Sequence, residues 1–339
     1  MASVRPVAAI KANNRLGVII CLGLVYIIWG STYLAIKVAV ETMPPLLMAG
    51  VRFLIAGSAL YITMRALKVP RPTMRQWVQA GLVGVLLLGG GNGTVSWVEE
   101  QQVPSSIAAL LVALVPLWMV TMNWLLPGGR RPSVRTMIGV AVGFGGVALL
   151  AFRGGVAGGG LSPMAFLLVI SSFVWAAGSL YARKADMPSS PLMSTAVEML
   201  VGSLTLLAGG LVAGEAGAVR LEAISWQSVA ALGFLIIFGS LVGYSSYTWL
   251  LKEAPPALVS TYAYVNPVVA LFLGVVIGNE ALNPVSLIAA AIIIASVALI
   301  TLPGSAPRAR MRRAEARMVE SSLPEASQTG EPAGAGTRS

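Results

Sequence analysis

Of 339 residues, 56% are hydrophobic and only 11% charged; the mean hydropathy is +0.81 and the formal net charge is +10. A soluble domain carries roughly a quarter charged residues, so the composition excludes an ordinary water-soluble fold and describes a chain solvated by lipid. One cysteine, Cys21, and no histidine exclude an internal disulfide, a multi-thiolate or imidazole metal site and any His-dependent catalytic triad.

A hydrocarbon core of about 30 Å takes about 20 apolar residues per helix. Ten such spans are expected, at about 17–40, 45–66, 76–98, 104–126, 133–152, 161–183, 192–213, 226–250, 256–277 and 283–302. Residues 1–16 precede them with Arg5, Lys11 and Arg15. The first apolar run, about 24 residues, is too long for a cleavable signal, so it reads as a retained span. The units are then 17–152, a glycine-rich external connection at 153–160, a second unit at 161–302, and a tail at 303–339. The tail is rich in Pro, Ala, Gly, Ser, Arg and Glu, a composition that predicts disorder. Its stretch 308–320 has two readings, a solvated segment or a short basic helix on anionic lipid.

With the N-terminus in the cytoplasm, nineteen of the 23 Lys and Arg fall on that side and three (Lys37, Arg153, Arg220) on the other. The remaining one, Arg52, lies inside the second span. That asymmetry follows the positive-inside rule and puts both termini in the cytoplasm. Cations confined to short loops also explain the basic charge without nucleic acid as a partner.

The chain repeats itself. Residues 255–301 lie without gaps on 104–150, with Pro255 on Pro104 and Pro267 on Pro116. Each copy holds five spans, and an odd number turns the second copy upside down. The loop with Arg130 and Arg131 corresponds to Asn279, Glu280, Ala281 and Leu282, which carry no cation. Loop charge that switches while the helix pattern persists marks an inverted repeat. The expected fold is an all-α integral membrane protein of ten transmembrane helices in two inverted five-helix repeats.

At 1.5 Å per residue, Trp29 and Trp175 lie roughly 18–21 Å into the first and sixth spans, and Pro116 and Pro267 about 17–18 Å into the fourth and ninth. A mid-helix proline frees a carbonyl that must be satisfied by protein or water. Matched kinks therefore point to a central cavity, the plainer reading being kinks used only for packing. Polar and aromatic residues gather on the same spans: Trp29, Ser31, Thr32 and Tyr33; Asn92 and Ser96; Trp118 and Asn123; Trp175, Ser179 and Tyr181; Tyr244 and Tyr247; Tyr262, Tyr264 and Asn266. They suggest an aromatic-walled pocket for a small amphipathic solute. Trp97, Trp124 and Trp249, near span ends, read as interfacial belt residues.

Two charges interrupt apolar spans, Arg52 and Glu198, at a depth difference of roughly 10 Å that disfavours a direct salt bridge. Glu198 reads either as a coupling carboxylate or as a neutral side chain bonded between helices. Arg52 reads as a coupling group, as a side chain snorkelling outward, or as a ligand of lipid phosphate. The glycine-rich stretches at 89–93 and 154–160 do not match G-x-x-x-x-G-K-[ST], so no ATP site is indicated. No cofactor is expected.

The runs YIIWGSTYLAIK (26–37), PPLLMAGVRFLIAG (44–57), GNGTVSWVE (91–99), VPSSIAALLVALVPL (103–117) and TYAYVNPVVALFLG (261–274) resemble the EamA branch of the drug/metabolite transporter superfamily. The resemblance implies ten helices as two inverted halves around a cavity lined by spans 1, 3, 4, 6, 8 and 9, and export of amino acids, related metabolites or drugs. One departure is visible. The family often carries Gly-Glu after both the fourth and ninth spans, whereas here Gly128-Gly129-Arg130 lacks the acid and only Gly278-Asn279-Glu280 approximates it. The expected activity is a secondary transporter or facilitator of the inner membrane, with an amino acid or related metabolite as substrate and membrane lipid as its surroundings. Alternatives are a lipid or lipid-linked-sugar flippase and, of another class, an intramembrane enzyme, for which no nucleophile–base pair is visible. The oligomeric state stays open.

Overall fold

The computed structural model describes residues 15–101, 103–125, 132–153, 163–254, 256–259, 261–278 and 284–301. Helix α1 (Arg15–Val40) is followed by α2 (Pro45–Ala66), whose first turn holds Pro45, a residue pre-set for that position. Its unpaired N–H groups find an acceptor far along the chain. Leu46 and Leu47 donate to the two carboxylate oxygens of Glu215 at 3.1 and 2.8 Å, which sets an anion at the positive end of the helix.

Helix α3 (Met74–Gly84) starts on a reciprocal Thr73–Gln76 capping box. It runs into a π-helical stretch at Val85–Gly93 and then α4 (Thr94–Glu100). Next come α5 (Ser105–Val112), α6 (Val115–Leu125), α7 (Val134–Arg153), α8 (Phe166–Ala182) and α9 (Pro191–Val212). Helix α10 (Trp226–Phe234), capped by Ser225, passes into a second π-helical stretch, Leu235–Tyr244, and α11 (Ser245–Glu253). The last elements are α12 (Pro256–Val259), α13 (Tyr262–Val276) and α14 (Pro284–Thr301).

Among the described residues there is no strand, and six stretches are long and apolar enough to cross a membrane: Arg15–Val40, Pro45–Ala66, Met74–Glu100, Ser105–Met122, Pro191–Val212 and Trp226–Leu250. Four shorter apolar stretches lie at Val134–Gly146, Phe166–Ala182, Val265–Val276 and Leu287–Ser296. The expectation of two matched mid-helix prolines needs correction. The helix breaks at Ala113 and Leu114, so Pro116 falls in the first turn of α6, where a missing N–H goes unnoticed. Pro267 does sit inside its helix, α13.

Polarity is distributed inside out. Thr32, Arg52, Ser96, Glu99, Ser171, Ser172, Glu198, Ser240 and Asn266 are buried, whereas Ile19, Ile27, Ile62, Leu211, Val212 and Phe272 are exposed. Such an exterior is suited to acyl chains rather than water. Within the unit Met1–Thr301, α2 packs along α9 and α7 along α14. Helix α1 lies against α13 and the second π stretch, while α8 lies against α6 and the first.

Polar contacts gather at the two ends of the bundle. At one end Thr42 donates to Ser228 at 2.8 Å, near the Glu215 contact. At the other, Arg75 pairs with Asp186 at 3.7 Å, and Gln76 donates to the Met187 carbonyl at 3.4 Å. Residues 1–14, the connection at 154–160, the Arg130–Arg131 loop, the Asn279–Glu280 turn and the tail with its 308–320 stretch lie outside the described residues.

Candidate functional site

Trp29 on α1 and Trp175 on α8 meet edge to face, ring centroids 6.0 Å apart at 89°. Tyr262 stands edge-on to Trp29 at 5.4 Å and 87°, and Tyr247 packs at 4.8 Å. Edge-to-face pairs contribute about 0.5–1.5 kcal/mol beyond area burial and fix ring orientation. Both indoles lie on a glycine of a π stretch. A Cβ on Gly243 would come within 2.8 Å of Trp29 Nε1, and one on Gly91 within 2.6 Å of the Trp175 ring. Only glycine permits these close approaches. π-helical segments concentrate at functional sites, and here each of the two carries the glycine that seats a tryptophan.

The aromatic cluster walls a central cavity. Of the sequence candidates, Trp29, Thr32, Tyr33, Asn92, Trp175, Tyr244, Tyr262, Asn266 and Arg52 line it. A second cavity holds Ser179, Tyr247 and Glu198, together with Arg183, Met187 and Pro188 from the α8–α9 connection. Tyr244 lines both cavities.

Both buried charges are tied to the second π stretch. Arg52 Nε donates to Ser240 Oγ at 2.9 Å, and Tyr244 Oη donates to Glu198 Oε2 at 2.6 Å. The two anchor points are four residues apart, so α2 and α9 grip one helix at successive turns. No ion pair joins Arg52 to Glu198 among the described residues. Arg52 is 3% exposed and faces the cavity, with its guanidinium 4.6 Å over the Phe53 ring. That placement turns the side chain inward, against the outward snorkelling reading. It also adds α2 to the elements expected around the cavity.

Several candidates stand elsewhere. Trp118 is one layer behind the wall: its Nε1 donates to Ser172 Oγ at 3.0 Å, and its ring packs on Phe144 and Phe173 at 5.1 and 5.4 Å. Ser172 itself lines the cavity. Ser31 and Ser96 donate to carbonyls of their own helices, Ile28 at 2.8 Å and Asn92 at 3.2 Å, and are absent from the lining. Pro116 and Pro267 are buried away from both cavities. The side chains of Tyr264 and Asn123 lie outside the described residues. Of the belt candidates, Trp124 is exposed, while Trp97 and Trp249 are half-buried against the core.

Sequence reasoning did not single out Ser171, Ser172, Phe53 or Gly239, which complete the wall, nor Ser240, which anchors Arg52. It also missed Glu99, a third buried acid, 1% exposed at the end of α4. The available signal for Ser171 and Ser172 was their place one turn before Trp175 on the same helix.

Comparison with known proteins follows the same lines. The uncharacterized inner membrane transporter YedA of Escherichia coli K12 is 41% identical over 281 residues, covering 82% of this chain and 88% of its own length. A probable amino-acid metabolite efflux pump of the same organism is 25% identical over 80% of this chain and 90% of its own. A probable terminal-alkyne amino-acid exporter of Streptantibioticus cattleyicolor is 25% identical over 82% and 91%. One crystal structure superposes with a TM-score of 0.58 at 21% identity, over 84% of this chain and 97% of that one, a likeness of fold alone. The EamA-like transporter family matches residues 16–152 and 162–302. A lipid-facing exterior, a polar-aromatic interior and a family match over both halves lead to one conclusion: the chain is a membrane protein and a member of the EamA-like transporter family.

Proposed function

We propose that the chain is a secondary transporter or facilitator exporting small amphipathic metabolites of the amino-acid type across the inner membrane, by alternating access of two inverted five-helix halves. The observation that carries this reading is the central cavity with aromatic walls and amide side chains, Trp29, Trp175 and Tyr262 beside Asn92 and Asn266. The internal correspondence supports it. The two π stretches recur 150 positions apart, each seats the tryptophan of the other half, and α1 and α8 have exchanged packing partners. Relatives named as amino-acid efflux proteins point to the same solute class.

Tyr244 lines both cavities, so on this reading it is the group that moves for a solute to pass between them. In proteoliposomes the wild type is expected to move one or more radiolabelled amino acids. Trp29→Ala and Trp175→Ala are each expected to cut flux at least tenfold at normal expression. Full flux in either variant counts against the cavity as the site. Glu198 and Arg52 are the candidate coupling groups, and flux indifferent to a pH gradient and to Glu198→Gln removes Glu198 from that role.

A further inference from the structure

Arg52 lines the central cavity, and its guanidinium holds one donor without a partner. Its Nε is bonded to Ser240, yet Nη1 is buried with no hydrogen-bond partner among the described residues. No ion pair to Arg52 is present among them either. A buried, uncompensated charge is among the most expensive features a membrane interior can contain. Three further buried polar atoms without hydrogen-bond partners belong to residues of the same wall: the side-chain oxygens of Asn92 on the first π stretch and Asn266 on α13, and the indole Nε1 of Trp175. The wall therefore combines one unpaired cationic donor and one indole donor with two unpaired acceptors. Gly239 belongs to this arrangement, because a Cβ there would lie 2.7 Å from Nη2.

We propose that Arg52 is the anion anchor of the central cavity, binding the carboxylate of a zwitterionic solute whose ammonium group is accepted by Asn92 and Asn266. This rests on the exporter reading and narrows it from amphipathic metabolites to solutes bearing a carboxylate. A guanidinium fork matches a carboxylate bidentately. Hydrogen bonds to an ionised partner are the strong ones, and leaving one unmade where water is excluded accounts for selectivity between otherwise equal solutes. The aromatic rings contact the apolar side chain and leave the charged end to the three polar groups.

The test uses the full-length chain in phosphatidylcholine nanodiscs and thermal unfolding with three matched sets, built on leucine, phenylalanine and tryptophan. Each set comprises the amino acid, its deaminated carboxylic acid and its decarboxylated amine. At least one amino acid should stabilise the protein, its acid should do so more weakly, and its amine should not. Arg52→Gln should weaken carboxylate binding about 10- to 100-fold, and Arg52→Lys, which retains charge but not the fork, by less. Gly239→Ala, which displaces the guanidinium, gives an independent variant should Arg52→Gln fail to fold, and it is expected to weaken the same compounds.

Equal binding of acid and amine, carboxylate binding unchanged in both Arg52→Gln and Gly239→Ala, or no carboxylate bound at all overturns the proposal. So does an Arg52-dependent stabilisation reproduced by phosphatidylglycerol nanodiscs alone, which would assign the guanidinium to a lipid headgroup. Flux assays separate the two levels. Amino-acid export that survives Arg52→Gln at full rate removes the anchor and leaves the exporter standing. Carboxylate binding without flux of any solute does the reverse.

Discussion

Tyr244 donates to Glu198 while Ser240, one turn earlier, accepts from Arg52, so two costly side chains meet their partners on one helix. Hydrogen bonds between membrane helices contribute about 0.6 kcal/mol on average and up to about 1.7; one to a carboxyl group with neither partner solvated belongs near the top of that range. A cycle of Tyr244→Phe, Glu198→Leu and the double variant should therefore show a coupling of about 1–2 kcal/mol in unfolding. Additive losses would mean the bond does no more than fill space. Arg52 and Glu198 were legible because a charge inside an apolar run has no neighbours to hide among. Glu99 was not, since Glu100 and Gln101 follow it and the group reads as a loop. Trp118 was placed on the right span but the wrong face. A span solvated by lipid on one side and packed on the other has no hydrophobic periodicity from which to phase its inner face.

Helix limits were the most legible feature of the elements: α2, expected at 45–66, is Pro45–Ala66, and α9, expected at 192–213, is Pro191–Val212. Prolines and short polar turns bracket apolar runs whose length the bilayer dictates. The π stretches left no such trace, because a wider hydrogen-bond register changes neither composition nor hydropathy. The glycines at 89–93 were visible but were weighed against a nucleotide-binding loop, whereas Gly91 seats an indole ring. The Glu215 contact to the start of α2 was equally hidden, being made across about 170 positions between segments that look like ordinary loops. Because that carboxylate satisfies two backbone donors at a helix N-terminus, Glu215→Ala should cost about 1 kcal/mol, the usual effect of deleting an N-terminal cap. A midpoint lowered by about 2–4 °C in nanodiscs is the expected reading for a chain of this size. An unchanged midpoint would assign the contact to chance proximity.

For the molecule as a whole, the two ends of the bundle carry the topology. Thr42, Ser228 and Glu215 cluster at one, and Arg75, Gln76 and Asp186 at the other. Combined with the cation asymmetry of the loops, this gives a topology test. In a Cys21→Ser background, a single cysteine at Lys68 should react with impermeant thiol reagents only from the cytoplasm, and one at Glu222 only from outside. Labelling of both from the same face would refute the crossing pattern, and with it the inverted halves. The seating of Trp175 on the first π stretch and of Trp29 on the second needed coordinates, because it joins residues that no local pattern connects.

The wall at Tyr244 has an evolutionary corollary. A partition common to two chambers cannot be remodelled for one of them alone. Replacing the ring to admit a bulkier cargo also widens the corridor behind it, so selectivity and leak are bound to drift together.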